Sequence, residues 1–137
     1  ESALGTKPSR ALHVVLWVVQ VLLALAFGAA GFMKSTAPVE ALAENMPWVR
    51  SMPDLVRFIG VSELLGALGM ILPAATRIRP GLTALAGLGL AAIMVLAAIF
   101  HVSRAEISGV GITLVLGGLA AFVAWGRWRK APIAPRG

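Results

Sequence analysis

Apolar residues fall in four long runs, 11–33, 55–73, 81–102 and 107–125, and the polar breaks between them are short except for one, 35–54. Each run holds about 19 to 23 residues, enough at roughly 1.5 Å per residue to carry a helix across a hydrocarbon core of roughly 30 Å. Lipid cannot satisfy bare backbone N–H and C=O groups, so the pattern predicts helices and not open strands. The breaks "AATRIRP" and "SRAE" leave room only for tight turns, which makes consecutive helices antiparallel neighbours. The predicted fold class is all-α: a polytopic membrane protein built as a four-transmembrane-helix up-down bundle. Its single domain spans 11–126, between polar tails at 1–10 and 127–137. A cleaved signal peptide competes for the first run, where "ALAFGAAG" offers small residues, but the run exceeds an h-region of roughly 7–15 residues.

The long break 35–54 has a pattern of its own. Val39, Leu42, Ala43 and Met46 recur at i, i+3, i+4 and i+7, with Thr36 and Pro38 as start signals and Pro47 as a stop. This predicts a short amphipathic helix on the outer interface, followed by a return anchored by Trp48. It reads as a connector resting in the headgroups or as a lid over the bundle.

Composition removes the soluble classes. Of 137 residues 58% are apolar and 13% charged, and the mean hydropathy is +0.87. The pI of about 11.5 does not mark nucleic-acid binding, because the basic residues flank the spans instead of lining one face. Lys7, Arg10, Arg77, Arg79, Arg127, Arg129, Lys130 and Arg136 fall on the side of the termini. Lys34, Arg50, Arg57 and Arg104 fall on the other, balanced by Glu40, Glu44, Asp54 and Glu106. The positive-inside rule then puts both termini in the cytoplasm of a multi-pass protein whose basic ends meet lipid headgroups. There is no Cys, which removes disulfides, thiol redox relays and thiolate metal sites.

Small residues recur four apart, Ala24 with Gly28, Ala26 with Ala30, Gly87 with Ala91 and Gly117 with Ala121, as close helix packing in lipid requires. Gly109 and Gly111 lack the strand and the Lys of a phosphate loop.

The candidate chemistry centres on Glu63, which stands near the middle of the second run. An ionisable group there costs roughly 2.5 kcal/mol or more and marks either a functional site or a fixed pair. Its face, Ile59, Gly60, Gly66 and Ala67, is mostly small and suited to packing inward. Lys34, Arg57 and His101 close or open helices on the same outer side, and Gln20 is the candidate neutral partner. These five residues are the candidate ligand-binding set, a polar pocket for a lipophilic molecule with a polar head. The alternative is a structural ion pair that fixes the register. A bis-His haem inside one chain is excluded by spacing, since His13 and His101 lie about a membrane thickness apart. No metal-ligand cluster appears.

The stretches "GFMKS", "RFIGVSELLGALGMILP", "AAIFHV" and "FVAWGRWR" resemble the DoxX-like family of small four-helix membrane proteins. The resemblance covers nearly the whole chain after residue 10. It implies that Lys34, Arg57, Glu63 and His101 occupy the family's recurrent polar positions. It also implies a link to membrane subunits of thiosulfate:quinone oxidoreductase and to redox-stress membrane complexes. The expectation is therefore an accessory subunit with no intrinsic cofactor, binding a quinone or another lipophilic small molecule beside a partner membrane or redox protein. A non-catalytic scaffold is the alternative.

Overall fold

The computed structural model describes residues 9–136; of the expected N-terminal tail, residues 1–8 lie outside the described residues. The chain forms α1 (Arg10–Thr36), a short α2 (Val39–Ala43), a 3-10 turn (Pro47–Arg50), α3 (Pro53–Thr76), α4 (Gly81–Ser103) and α5 (Ile107–Trp125), which runs into a π-helical turn (Gly126–Lys130). Helix α1 starts where Ser9 Oγ accepts the Leu12 N–H at 3.2 Å and stops at Ala37, whose N–H bonds back to Met33 O, with Pro38 beyond it.

Helix α3 outruns its expected end at Pro73 by one turn. Proline has no N–H for the carbonyl four residues back, so Gly69 O loses its helical donor. The buried Thr83 of α4 supplies a replacement, donating from Oγ1 to Gly69 O at 3.0 Å. A span that would break in lipid is thereby completed by its neighbour.

Helix α1 packs on α3, α3 on α4 and α4 on α5, while α5 closes more sparingly on α1. The core holds Leu16, Leu23, Phe27, Met70, Leu90, Met94, Ala120 and Val123. Outside it Leu25, Leu65, Leu88, Leu96 and Leu114 are exposed, a lipid-facing surface. All four long helices are long and apolar enough to cross a membrane.

Two contacts set the helix spacing. A Cβ on Gly31 would stand 2.7 Å from Gly60 O, and one on Gly60 would stand 2.7 Å from Ser35 N. Backbone therefore touches backbone where α1 crosses α3. Across α4 and α5, Gly87 meets Ala120 O and Ala124, and Gly117 meets Met94. The four-residue spacing had marked Gly87 and Gly117 but neither Gly31 nor Gly60.

The segment between α1 and α3 does not rest its apolar face in headgroups. Leu42, Ala43 and Val49 are buried with Val56 of α3, so the segment caps the bundle. The chain after α5 also packs back. Ala131 is buried, Arg77 Nε donates to Ala134 O at 2.9 Å, and Arg136 N–H donates to Arg77 O at 2.9 Å.

Candidate ligand-binding site

Helices α3 and α4 touch in one half of the bundle and part in the other. Towards the termini Gly66 lies against Leu90 and Gly69 against Ala86, where a Cβ would come within 2.5 and 2.7 Å respectively. Towards α2, the distal end, the facing residues become Ile59 and Ser62 on α3 and Ile93, Ala97 and Phe100 on α4. These side chains line a cavity of about 360 Å³. Met46 and Trp48, from the segment after α2, roof it. Trp48 is fixed edge-on to Phe100 with ring centroids 5.3 Å apart. Leu55, Phe58 and Leu96 line the cavity and are also exposed on the lipid-facing surface, so its mouth opens sideways into the membrane.

The inner wall carries the charge. Lys34 Nζ donates to Glu63 Oε1 at 3.0 Å and Oε2 at 3.3 Å. The Glu63 side chain is 2% exposed and that of Lys34 23%. The Gly31–Gly60 contact makes the pair geometrically available, because only close backbones bring the last turn of α1 onto the second turn of α3. Lys34 lines the cavity; it has three donors and Glu63 takes two, which leaves one N–H for another acceptor.

His101 stands at the rim. Its Nδ1 lies 2.8 Å from Glu106 Oε1, and its ring lies on Gly109 of α5, where a Cβ would reach within 2.5 Å of Nδ1. Glycine at 109 is therefore a condition of the ring's position. The hydrogen bond from His101, helped by Arg104, holds the Glu106 carboxyl below the usual carboxylate range.

A model of the DoxX-like family matches residues 18–123, well over half of the chain. The chain belongs to the DoxX-like family. Family membership and the four long apolar helices make it a multi-pass membrane protein. No match was found among curated proteins or among solved structures.

Of the five candidate residues in this DoxX-like bundle, Lys34, Glu63 and His101 share the cavity. Arg57 does not line it. Its Nη1 donates to Lys34 O at 3.0 Å, capping the last turn of α1 and fixing the residue that holds Glu63. Gln20 is elsewhere. It lies eleven residues before Gly31 along α1, about 16 Å at helical rise, too far to reach Glu63. Its Nε2 donates to Met70 O at 2.6 Å and its Oε1 accepts from Arg127 Nε at 2.7 Å.

Arg127, expected in the basic tail at 127–137, packs inward instead. It is 4% exposed, and Nη1 donates to His13 Nδ1 and to Ala131 O, both at 2.9 Å. The two histidines thus sit at opposite ends of the bundle. A mid-helix Gln that must find a polar partner was the one available signal. Both His13 and Arg127 lie outside the residues matched to the family.

Proposed function

We propose that this DoxX-like protein binds a quinone, or another flat lipophilic molecule with polar substituents, in the cavity between α3 and α4 and serves a redox or stress pathway as an accessory membrane subunit. The carrying observation is the cavity itself: about 360 Å³, walled by apolar side chains, open to lipid, with the buried Lys34–Glu63 pair inside. That volume falls in the range of small-molecule sites, roughly 300–1,000 Å³. Two polar groups of the lining are left for a bound molecule, the third Lys34 N–H and the His101 Nε2 that the Glu106 contact does not use. Trp48 and Phe100 supply aromatic faces for a ring.

A second reading has its own support. The Lys34–Glu63 pair is closed on both carboxylate oxygens, and among the described residues no buried side-chain polar atom lacks a partner. A scaffold with a structural ion pair fits that as well. A panel of quinones, sterols and fatty acids, tested for thermal shift in detergent on wild type and His101→Ala, separates the two. A ligand at a hundredfold excess over Kd adds about 2.7 kcal/mol. A quinone should move wild type and move His101→Ala less; a panel that moves neither favours the scaffold.

Both termini are assigned to the cytoplasm. Supporting this, Arg10, Arg77, Arg79, Arg127, Arg129, Lys130 and Arg136 gather at the termini end without an Asp or Glu among the described residues there, whereas Glu40, Glu44, Asp54 and Glu106 lie at the distal end. A Cys placed at Glu44 should react with an impermeant maleimide in intact cells and one at Arg129 should not; the reverse labelling overturns the orientation.

A further inference from the structure

The termini end holds a charge that no acidic side chain among the described residues balances. Arg127 is 4% exposed, yet among the described residues every partner of its guanidinium is neutral: Gln20 Oε1, His13 Nδ1, Ala131 O and, at 3.5 Å from Nη2, His13 O. Arginine only donates, so His13 Nδ1 must accept here and the imidazole facing it is uncharged. Four of the five N–H groups are thereby placed, one of them on a long contact, and the remaining N–H is on Nη2. A buried guanidinium is normally matched by a carboxylate or a phosphate.

Arg127 also lines a groove of about 650 Å³ at this end, together with Arg79, Pro80, Gly81, Trp128 and Pro132. Arg79 is exposed and held at a positive φ of 49°. Gly81 opens α4, whose N-terminus carries no side-chain cap. Two guanidiniums and the positive end of a helix dipole therefore meet in one concavity. The groove is preformed, because prolines stiffen its far wall and the Arg77–Ala134 and Arg136–Arg77 hydrogen bonds tie that wall to the α3–α4 turn.

The geometry points to a phosphoryl-binding site in this groove, with Arg127 as the buried contact and Arg79 as the gate. The phosphoryl group belongs either to a phospholipid headgroup, with the exposed Trp128 at the interface beside it, or to free phosphate. It is distinct from the cavity between α3 and α4 and does not depend on what that cavity binds.

The test uses the full chain in dodecyl maltoside, titrated with phosphatidylglycerol, with phosphatidylcholine as lipid control, and with inorganic phosphate against chloride at equal ionic strength. The readout is the unfolding midpoint and the Kd fitted to its shift. Phosphatidylglycerol, phosphate or both should raise the midpoint above their controls. A shift from the lipid alone identifies a headgroup; a shift from phosphate as well identifies the free anion. Arg127→Gln would strip the buried Gln20 and His13 of their donor and threatens folding, so the exposed Arg79→Gln is the deciding variant. Losing one charge-assisted contact should weaken its Kd about tenfold. Arg129→Gln, equally basic and outside the groove, should bind like wild type. The proposal is overturned if neither anion exceeds its control, if Arg79→Gln keeps the wild-type Kd, or if Arg129→Gln loses as much as Arg79→Gln.

Discussion

The two halves of the Lys34–Glu63 pair should not be equally replaceable. Glu63 is shut in by α1 and cannot reach water, so Lys34→Met strands a buried carboxylate; breaking a buried pair in this way costs roughly 3–5 kcal/mol. Lys34 is different. Its side chain is 23% exposed and sits in the last turn of α1, where a four-carbon stem can swing the ammonium towards the interface. Glu63→Gln also keeps the volume and one acceptor for that ammonium, which brings the expected cost down to about 1–3 kcal/mol. Glu40→Gln is the control. Its bond to Arg50 joins side chains 76% and 54% exposed, a pair worth about 0–1 kcal/mol after screening by solvent. Replacing both partners by Met and Leu removes the charges together and should fall well short of the sum of the single changes, because a well-packed apolar pair substitutes for a buried ion pair at little cost. Reversible unfolding in mixed micelles, followed by tryptophan fluorescence, orders the variants. A Glu63→Gln costlier than Lys34→Met, either of them matching Glu40→Gln, or single effects that simply add would refute this asymmetry of the pair.

Gly60→Ala should destabilise by about 1–3 kcal/mol, since its Cβ would press on the Lys34 and Ser35 backbone. Gly89→Ala, with nothing within 4 Å, should be neutral or stabilising in the same unfolding assay. The Glu106 carboxyl titrates below its unfolded value, so its contribution is present above the ordinary carboxylate range and fades as pH falls through the folded value. Wild type should therefore lose stability on acidification more steeply than Glu106→Gln, as read from unfolding midpoints across that range; parallel pH profiles would show that the His101 contact contributes nothing. Gly109→Ala should displace the His101 ring and reduce a quinone-induced thermal shift as His101→Ala does, without touching Lys34 or Glu63; an undiminished shift removes His101 from the site.

What could be read from the sequence was whatever hydropathy and local spacing encode. The four spans follow from run length, and α5 ends where its apolar run ends. A cationic partner for Glu63 from the outer helix ends could be expected, because antiparallel neighbours bring such charges together, but hydropathy leaves Lys34 and Arg57 equally open. Contacts between distant residues could not be read that way. Arg57 lies on the same side as Glu63, but whether its guanidinium turns to a carboxylate or to the Lys34 carbonyl depends on rotation about α3, which periodicity does not fix when the helix is apolar all round. The Gln20–Arg127 bond joins residues 107 apart. It exists because the π-helical turn continues α5 past Trp125 and turns one basic residue inward while Arg129 and Lys130 face out. Nothing in "WGRWRK" distinguishes the inward Arg from its neighbours. Pro73 misled for a similar reason, since the donor that rescues its broken turn comes from another helix.

A lipophilic ligand held in the cavity between α3 and α4 should leave the membrane with the protein. Wild type and Ala97→Phe, which fills the cavity from the α4 wall, should be purified in mild detergent, extracted with organic solvent and quantified by mass spectrometry. A quinone-class molecule should be found stoichiometric with the wild-type chain and be lost from Ala97→Phe, against an unchanged background of bulk phospholipid. Identical extracts from the two, containing bulk lipid alone, would contradict a ligand in this cavity.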